Sequence, residues 1–231
     1  MGRLQRVARN ERGRDFAVGD IHGHFRRLEQ ALALIGFDAS RDRLFSVGDL
    51  VDRGPDSEEA LAWLQRPWFF AVQGNHEALA VAHVQGQWLD VELYRANGGA
   101  WFLDSPAAEQ SRYAEQFARL PLALEIDTLA GPVGVLHADC PSPSWQTWCD
   151  QLAVGPVKAA QDICQWSRRR LQQNDPTPVA GLRALIVGHT PGPSVRVLGN
   201  VWHIDTGGWL NGHFSFLELA TLDVRSARRE S

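Results

Sequence analysis

The chain has 231 residues, a formal net charge of −4 and a sequence pI near 6.1. A chain of this length can bury one sizeable core, so we expect a single domain over residues 1–231. The charge balance gives no overall basic footprint, which argues against a nucleic-acid-binding protein. We also expect neither a signal peptide nor a membrane span, because no long apolar stretch is present.

Cysteine usage indicates the redox environment. The three cysteines, Cys140, Cys149 and Cys164, are an odd number and lack Cys-x-x-Cys spacing. This pattern argues against both a disulfide framework and a structural zinc site, and it favours a reducing cytoplasm.

Three short apolar runs, at residues 16–18, 44–47 and 69–72, end at Gly-Asp, Gly-Asp and Gly-Asn. Such runs are typical of buried strands that end in functional loops. Apolar residues at helical spacing predict a helix over residues 24–35, and Asp56 or Ser57 can cap a second that runs to Gln65. Alternation of strand and helix implies parallel pairing with helical crossovers.

The rest of the chain predicts more helices and a second sheet. We expect a helix over residues 75–85 and further helices over 88–119, broken at Gly98-Gly99 and at Pro106. Strands are predicted at residues 122–129, 132–137, 184–187, 195–198, 201–204 and 214–219. The sequence therefore predicts an α/β fold in which two sheets pack face to face with helices outside. Residues 141–181 are predicted to form a partly helical insertion over the site.

Five segments place metal-ligand side chains where a predicted strand stops. They are Gly19-Asp20-Ile21-His22-Gly23, Gly48-Asp49-Leu50-Val51-Asp52-Arg53-Gly54, Gly74-Asn75-His76-Glu77, Leu136-His137-Ala138-Asp139 and Gly188-His189-Thr190. Ligands gather at the carboxyl ends of strands in open α/β sheets. Mixed carboxylate and imidazole ligands suit manganese, iron or zinc. Asp49 is our candidate to bridge two cations, one of which would also take Asn75, His137 and His189.

The order of these motifs resembles the phosphoprotein phosphatase family of metallophosphoesterases, and most nearly its bacterial and bacteriophage lambda-type serine/threonine members. The resemblance extends from about Asp15 to Leu217 and includes Trp166-Ser167-Arg168 and Ile204-Asp205-Thr206-Gly207. It implies a two-sheet metallophosphoesterase fold with the metal site at the carboxyl ends of strands. It also implies that Asp20, His22 and Asp49 hold a first cation and that Asp49, Asn75, His137 and His189 hold a second. Manganese is the metal that the resemblance implies.

Catalytic groups follow from the chemistry of a phosphate ester. Arg53 follows Asp49 by four residues, and its planar fork can orient phosphate oxygens. The resemblance selects Arg168 as a second arginine, although a run from Arg168 to Arg170 is more typical of a solvated helix face. His76 is the expected general acid, oriented by Asp52, and the expected nucleophile is a hydroxide that bridges the two cations.

Substrate contacts are expected from Arg53, Asn75, Arg168 and His203, the last of which stands where relatives carry an aromatic residue. Trp145, Trp148 and Trp166 either read the peptide around the phosphoresidue or form a hydrophobic cluster that fixes the insertion. The second interpretation is favoured.

The sequence therefore predicts a hydrolase of phosphoserine and phosphothreonine in proteins or peptides, with a tolerance that includes phosphotyrosine. The alternative enzyme is a symmetrical diadenosine tetraphosphate hydrolase, and a nuclease is less favoured for want of a basic groove. A catalytically silent phosphopeptide-binding module would lack some of the catalytic positions, all of which are filled here. Nothing in the sequence predicts an oligomeric state.

Overall fold

The computed structural model describes residues 3–155, 158–210 and 212–226. Its strands fall into two mixed sheets. The five-stranded sheet has the order β11-β10-β2-β3-β4, and the six-stranded sheet has the order β1-β5-β6-β7-β9-β8. The strands are β1 (Leu4–Val7), β2 (Asp15–Val18), β3 (Arg43–Ser46), β4 (Phe69–Ala71), β5 (Ala123–Ile126), β6 (Val133–Val135), β7 (Ala184–Val187), β8 (Arg196–Leu198), β9 (Val201–His203), β10 (Ser215–Glu218) and β11 (Val224–Ser226).

Strand pairing follows the connections between the strands. β2, β3 and β4 pair in parallel, as the helical crossovers between them require. In the other sheet β6, β7 and β9 are parallel. Strand β5 pairs antiparallel with β6, and β8 pairs antiparallel with β9. The parallel strands of both sheets therefore present their carboxyl ends to one edge of the molecule.

Helices cover the outer face of each sheet. The helices are α1 (Phe25–Leu34), α2 (Ala60–Leu64), α3 (Asn75–Val84), α4 (Val91–Tyr94), α5 (Ala100–Leu103), α6 (Ala107–Ala118), α7 (Trp145–Val154), α8 (Lys158–Trp166) and α9 (Arg169–Gln173). A 3₁₀ turn over Ser57–Glu59 precedes α2, and a π turn over Arg95–Gly99 joins α4 to α5. Gly98 has a φ of 101° within this turn, which confirms the predicted break.

Three apolar clusters hold the layers together. Alternate residues of both sheets, such as Phe45 and Ile186, form the core between them. A second cluster packs α1, α2, α3 and α6 on the outside of the five-stranded sheet. A third packs the insertion on the six-stranded sheet and buries Trp145 and Trp148. The predicted two-sheet sandwich flanked by helices is confirmed, and the described part of residues 141–181 contains the helices α7, α8 and α9.

Two edge strands and one cap differ from the sequence prediction. β1 and β11 lie in Arg-containing segments that show no apolar run, so their pairing with β5 and β10 could not be read from periodicity. The Asp56 side chain makes no capping hydrogen bond to the following turn; it accepts from the Arg26 side chain instead. The free cysteines, Cys140, Cys149 and Cys164, are all buried, and no helix within the described ranges is long and apolar enough to cross a membrane.

Candidate metal centre and active site

Strand ends bring the predicted ligands together. Asp20 follows β2, Asp49 follows β3, Asn75 begins the helix after β4, and His137 and His189 follow β6 and β7. All six predicted metal ligands, Asp20, His22, Asp49, Asn75, His137 and His189, are at least 95 % buried. Loops of both sheets therefore meet in one buried polar cluster, which the contacts below resolve into two parts.

One part centres on His137. Its Nδ1 faces the Val47 carbonyl oxygen at 2.8 Å, which assigns the ring proton to Nδ1 and a lone pair to Nε2. The Nε2 atom lies 2.8 Å from Asn75 Oδ1, 3.2 Å from His189 Nδ1 and 3.4 Å from Asp49 Oδ1. Ligand atoms of Asp49, His137 and His189 all lie within 4.8 Å of one another. Lone pairs that converge in this way suit a cation.

The other part centres on His22. Its Nδ1 faces the Val51 carbonyl oxygen at 2.9 Å, so Nε2 again presents a lone pair. That atom lies 3.5 Å from Asp49 Oδ2 and 3.9 Å from Asp20 Oδ2. The two oxygens of Asp49 therefore face different histidines. This is the geometry expected of a carboxylate that bridges two cations.

Electrostatics support the fit of cations to these residues. Burial and the charge of Asp205 raise the pKa of Asp20 well above its usual value, and burial with the charge of Asp49 raises that of Asp205 to about 6. Three buried carboxylates therefore repel one another, and positive charge between them would relieve the repulsion. Burial also lowers the pKa of His22 well below its usual range and that of His189 to about 3. Both rings are thus neutral, as metal ligands must be.

His137 behaves differently from the other two histidines. Burial opposes its protonation, but the neighbouring charge of Asp49 outweighs burial and raises the pKa of His137 to about 10. A proton and a cation therefore compete for its Nε2 atom.

A fourth histidine lies beside the predicted ligands. His76 Nδ1 is 2.5 Å from Asp52 Oδ2, and its Nε2 is 3.9 Å from Asp49 Oδ2. Burial lowers the pKa of His76, but the charges of Asp49 and Asp52 outweigh it and raise the pKa overall. Asp52 therefore both orients the ring and stabilises its protonated form, which is what a general acid needs.

Arg53 points at the same space. Its Nη1 donates to His22 Nε2 at 2.6 Å and its Nη2 lies 3.2 Å from His76 Nε2. The Trp209 ring lies under the guanidinium, with the Arg53 Cζ atom 4.4 Å from the ring centroid. The sequence did not indicate a role for Trp209, because Trp209 and Arg53 are far apart along the chain.

The three consecutive arginines have different environments. Arg168 is exposed and lines a groove of about 1240 Å³ together with Arg53, Asn75, His76 and His189. Arg169 is also exposed and donates to Gln173 Oε1 at 3.0 Å.

Arg170 is buried. Its Nε donates to Asp139 Oδ1 at 2.9 Å, and its Nη1 donates to the Thr177 carbonyl oxygen at 2.6 Å. The expectation of a solvated face is therefore wrong for Arg170, which ties α9 to the loop that carries His137.

The remaining predicted substrate contacts are partly resolved. His203 is buried at the end of β9, and neither of its ring nitrogens has a hydrogen-bond partner. Burial and the charges of Arg170 and Arg196 lower its pKa to about 4. It is not among the described residues that line the groove, so its contact with substrate stays a prediction. Trp145 and Trp148 are buried in the insertion's cluster, as favoured, whereas Trp166 is 41 % exposed and lines the groove.

Glu77 belongs to the Gly74-Asn75-His76-Glu77 motif, but the sequence alone indicated no role for it. Its two oxygens accept hydrogen bonds from the backbone N–H groups of Asp49, Leu50 and Gly74, at 3.0, 2.8 and 2.8 Å. The side chain therefore joins the loop after β3 to the loop after β4. Burial and the charge of Asp49 raise its pKa to about 7.

Comparison with known proteins places this site in a family. The family model of calcineurin-like phosphoesterases matches residues 16–193. The chain belongs to this family.

Curated relatives of this calcineurin-like phosphoesterase include two protein phosphatases. Serine/threonine-protein phosphatases 1 and 2 of Salmonella typhimurium are 36 % and 33 % identical to it, and each match covers 88 % of the chain and 91 % or 92 % of the relative. A symmetrical bis(5'-nucleosyl)-tetraphosphatase of Pseudomonas fluorescens is 33 % identical over 63 % of the chain and 48 % of that protein. A solved structure of a putative diadenosine tetraphosphatase superposes with a TM-score of 0.68 at 23 % identity, covering 98 % of the chain and 97 % of that structure, which supports the fold.

Proposed function

We propose that the chain hydrolyses phosphoserine and phosphothreonine monoesters in proteins, with a tolerance that includes phosphotyrosine. The observation that carries the proposal is that Asp49 belongs to two groups of possible metal ligands, one with His137 and His189 and one with His22 and His76, and that His76 also bonds Asp52. The two serine/threonine-protein phosphatases match nearly the whole chain, whereas the tetraphosphatase match covers about half of that relative. Phosphoproteins are therefore the proposed substrates.

Two divalent cations are the proposed cofactors. Asp20, His22 and Asp49 would hold one, and Asp49, Asn75, His137 and His189 would hold the other. Carboxylate, amide and imidazole ligands suit manganese, iron or zinc, and manganese is our choice. When bound, the two cations lower the pKa of water and neutralise charge on the phosphoryl group.

The protein's own groups would act on the other side of the phosphorus atom. Arg53 and Arg168, which both line the groove, would bind the phosphoryl oxygens. Negative charge grows on those oxygens during displacement, so donors fixed beforehand lower the barrier. His76 would deliver a proton to the departing serine or threonine oxygen, which is a poor leaving group without one.

The metallophosphoesterase fold also serves the alternative activity, hydrolysis of diadenosine tetraphosphate. One experiment separates the two: turnover of a phosphoserine peptide, 4-nitrophenyl phosphate and diadenosine tetraphosphate in manganese, with and without excess chelator. We expect turnover of the first two substrates, abolished by chelator. Preference for diadenosine tetraphosphate over the peptide would overturn the assignment.

The proposed location is a reducing cytoplasm. The three cysteines are free and buried, and burial raises the pKa of Cys140 to about 12 and that of Cys149 to about 11. Thiols held in this state oxidise slowly and form no cross-link.

A further inference from the structure

We propose that Trp101 is a positioning residue for proton transfer, acting through Asp52 on His76. The inference rests on the proposed function, because it takes His76 as the proton donor. Trp101 lies on α5, outside every motif that supplies a ligand or a phosphate-binding group. The only polar atom of its side chain, Nε1, nevertheless reaches the Asp52 carboxylate that contacts His76.

The contacts form a chain of two hydrogen bonds. The indole Nε1 of Trp101 donates to Asp52 Oδ1 at 2.6 Å, and Asp52 Oδ2 lies 2.5 Å from His76 Nδ1. An indole N–H can only donate, so the direction of the first bond is settled. A carboxylate turns about one bond, and fixing one oxygen therefore fixes the other. The indole thus sets the angle at which Asp52 meets the imidazole.

Asp52 needs such a partner. Its side chain is fully buried, and its backbone lies in the left-handed region with a φ of 71°. Its own backbone N–H is already committed to Ser57 Oγ at 2.9 Å. Without the indole, Oδ1 would be a buried acceptor lacking its donor, and the carboxylate would be free to turn away from His76.

Trp101 is itself held at a fixed orientation. Its ring meets the Tyr113 ring edge-on, with centroids 5.1 Å apart and an interplanar angle of 88°. The centroid of the Phe102 ring lies 5.7 Å from that of Trp101. Packing alone does not explain the hydrogen bond. Among the described tryptophans, Trp63 and Trp148 bury Nε1 without a hydrogen-bond partner, so burial of an indole in this protein does not by itself require one.

The test is the dependence of rate on leaving group. Trp101→Phe keeps a ring in the aromatic cluster and removes the N–H group. We expect kcat/KM to fall roughly tenfold on a phosphoserine peptide and on alkyl phosphates, the lower end of losses seen when a supporting hydrogen bond is removed. Turnover of 4-nitrophenyl phosphate should stay near wild type, because nitrophenolate leaves without a proton. The bound metal content should not change.

Two comparisons sharpen the result. Tyr113→Phe removes the hydroxyl that donates to the Glu58 carbonyl oxygen at 2.8 Å, on the ring that packs against Trp101. This matched control should leave the leaving-group dependence unchanged. In the His76→Asn background, Trp101→Phe should cost almost nothing further, since both act on the same proton.

Two outcomes would overturn the proposal. If Trp101→Phe lowered kcat/KM equally on the peptide and on 4-nitrophenyl phosphate, Trp101 would have a structural role and no specific role in proton transfer. Full additivity with His76→Asn would lead to the same conclusion. In either case the wild type still hydrolyses phosphopeptide, so the proposed function survives. A wild type inactive on phosphopeptide would instead remove the proposed function itself.

Discussion

Asp49 combines an unusual backbone with a shared side chain. Its φ is 48°, and its two oxygens face His22 and His137. Asparagine tolerates the left-handed region about as well as aspartate does, so Asp49→Asn removes the charge without straining the loop. We expect a nearly inactive protein with reduced metal content, measured by elemental analysis and turnover of 4-nitrophenyl phosphate. Wild-type rate and metal content would remove the bridging role.

His76 can be separated from the ligands around it by its effect on different leaving groups. His76→Asn should retain the metals but lose roughly 10²- to 10⁴-fold in kcat on alkyl phosphates, the range for a lost general acid. The loss should shrink on 4-nitrophenyl phosphate. An equal loss on both substrates would argue that His76 positions the phosphoryl group instead.

The three consecutive arginines should respond differently to truncation. Arg168→Ala should lower kcat/KM by on the order of 10², the scale of losing one charge-stabilising donor, and should weaken inhibition by free phosphate. Arg169→Ala is the matched control and should stay near wild type, because that side chain is not among the described residues that line the groove and bonds Gln173 instead. A neutral Arg168→Ala beside a sensitive Arg169→Ala would show that the motif is misaligned by one residue.

Arg170→Ala should act on stability instead. It leaves Asp139 buried without its partner, and breaking a buried ion pair in this way costs about 3 to 5 kcal/mol. Urea unfolding of the variant, with the exposed Arg169→Ala as reference, measures the difference. A midpoint equal to that of Arg169→Ala would contradict a tying role for Arg170.

At the scale of the element, the π turn between α4 and α5 contacts the loop that carries Arg53. The Gly98 carbonyl oxygen accepts from the Arg53 N–H at 3.4 Å, and a Cβ on Gly98 would lie 2.4 Å from that nitrogen. Gly98→Ala should therefore displace Arg53, lowering both kcat/KM and stability, the latter by about 1 to 3 kcal/mol. Gly86→Ala is the matched control, since Gly86 also has a positive φ but nothing lies near its Cβ position. Equal effects of the two substitutions would mean that backbone strain alone is responsible.

Sequence periodicity predicted the elements that carry the site but not every element around it. Apolar runs that end at Gly-Asp mark β2 and β3 because buried parallel strands need continuous apolar residues. β1 has only one buried residue, Val7, and its pairing with β5 joins segments more than a hundred residues apart. No local pattern reports such a pairing, since an edge strand needs little apolar content of its own.

At the scale of the whole molecule, the same distinction separates predicted from unpredicted site residues. The proposed ligands could be predicted because each belongs to a short motif at a strand end. The residues that contact their neighbours could not, because those contacts join distant parts of the sequence. Trp101 meets Asp52 across 49 positions and Arg170 meets Asp139 across 31. Only the folded chain brings these pairs together. Helix α5 carries Trp101, and helix α9 carries Arg170.

The fold also buries three carboxylates, those of Asp20, Asp49 and Asp205, that repel one another. Asp205 is 3 % exposed, and its pKa of about 6 exceeds the value near 3.9 of an unfolded chain. Because the folded pKa is raised, ionisation of Asp205 destabilises the metal-free protein, and stability falls as pH rises from about 4 through 6. Asparagine can still accept the hydrogen bond that Gly207 N–H gives to Oδ1 at 3.0 Å. Asp205→Asn removes the charge and keeps that contact.

We therefore expect Asp205→Asn to be more stable than wild type in excess chelator near pH 7.5, by roughly 1 to 3 kcal/mol. The difference should disappear near pH 4, where the carboxyl group is protonated in the folded protein. Manganese should raise the melting temperature less in the variant, because a cation then relieves the repulsion of two buried carboxylates instead of three. Melting curves with chelator and with manganese at both pH values measure all three effects. A variant less stable than wild type in chelator at pH 7.5 would show that the ionised Asp205 stabilises the fold. Repulsion among the three carboxylates would then not be a cost that bound cations offset.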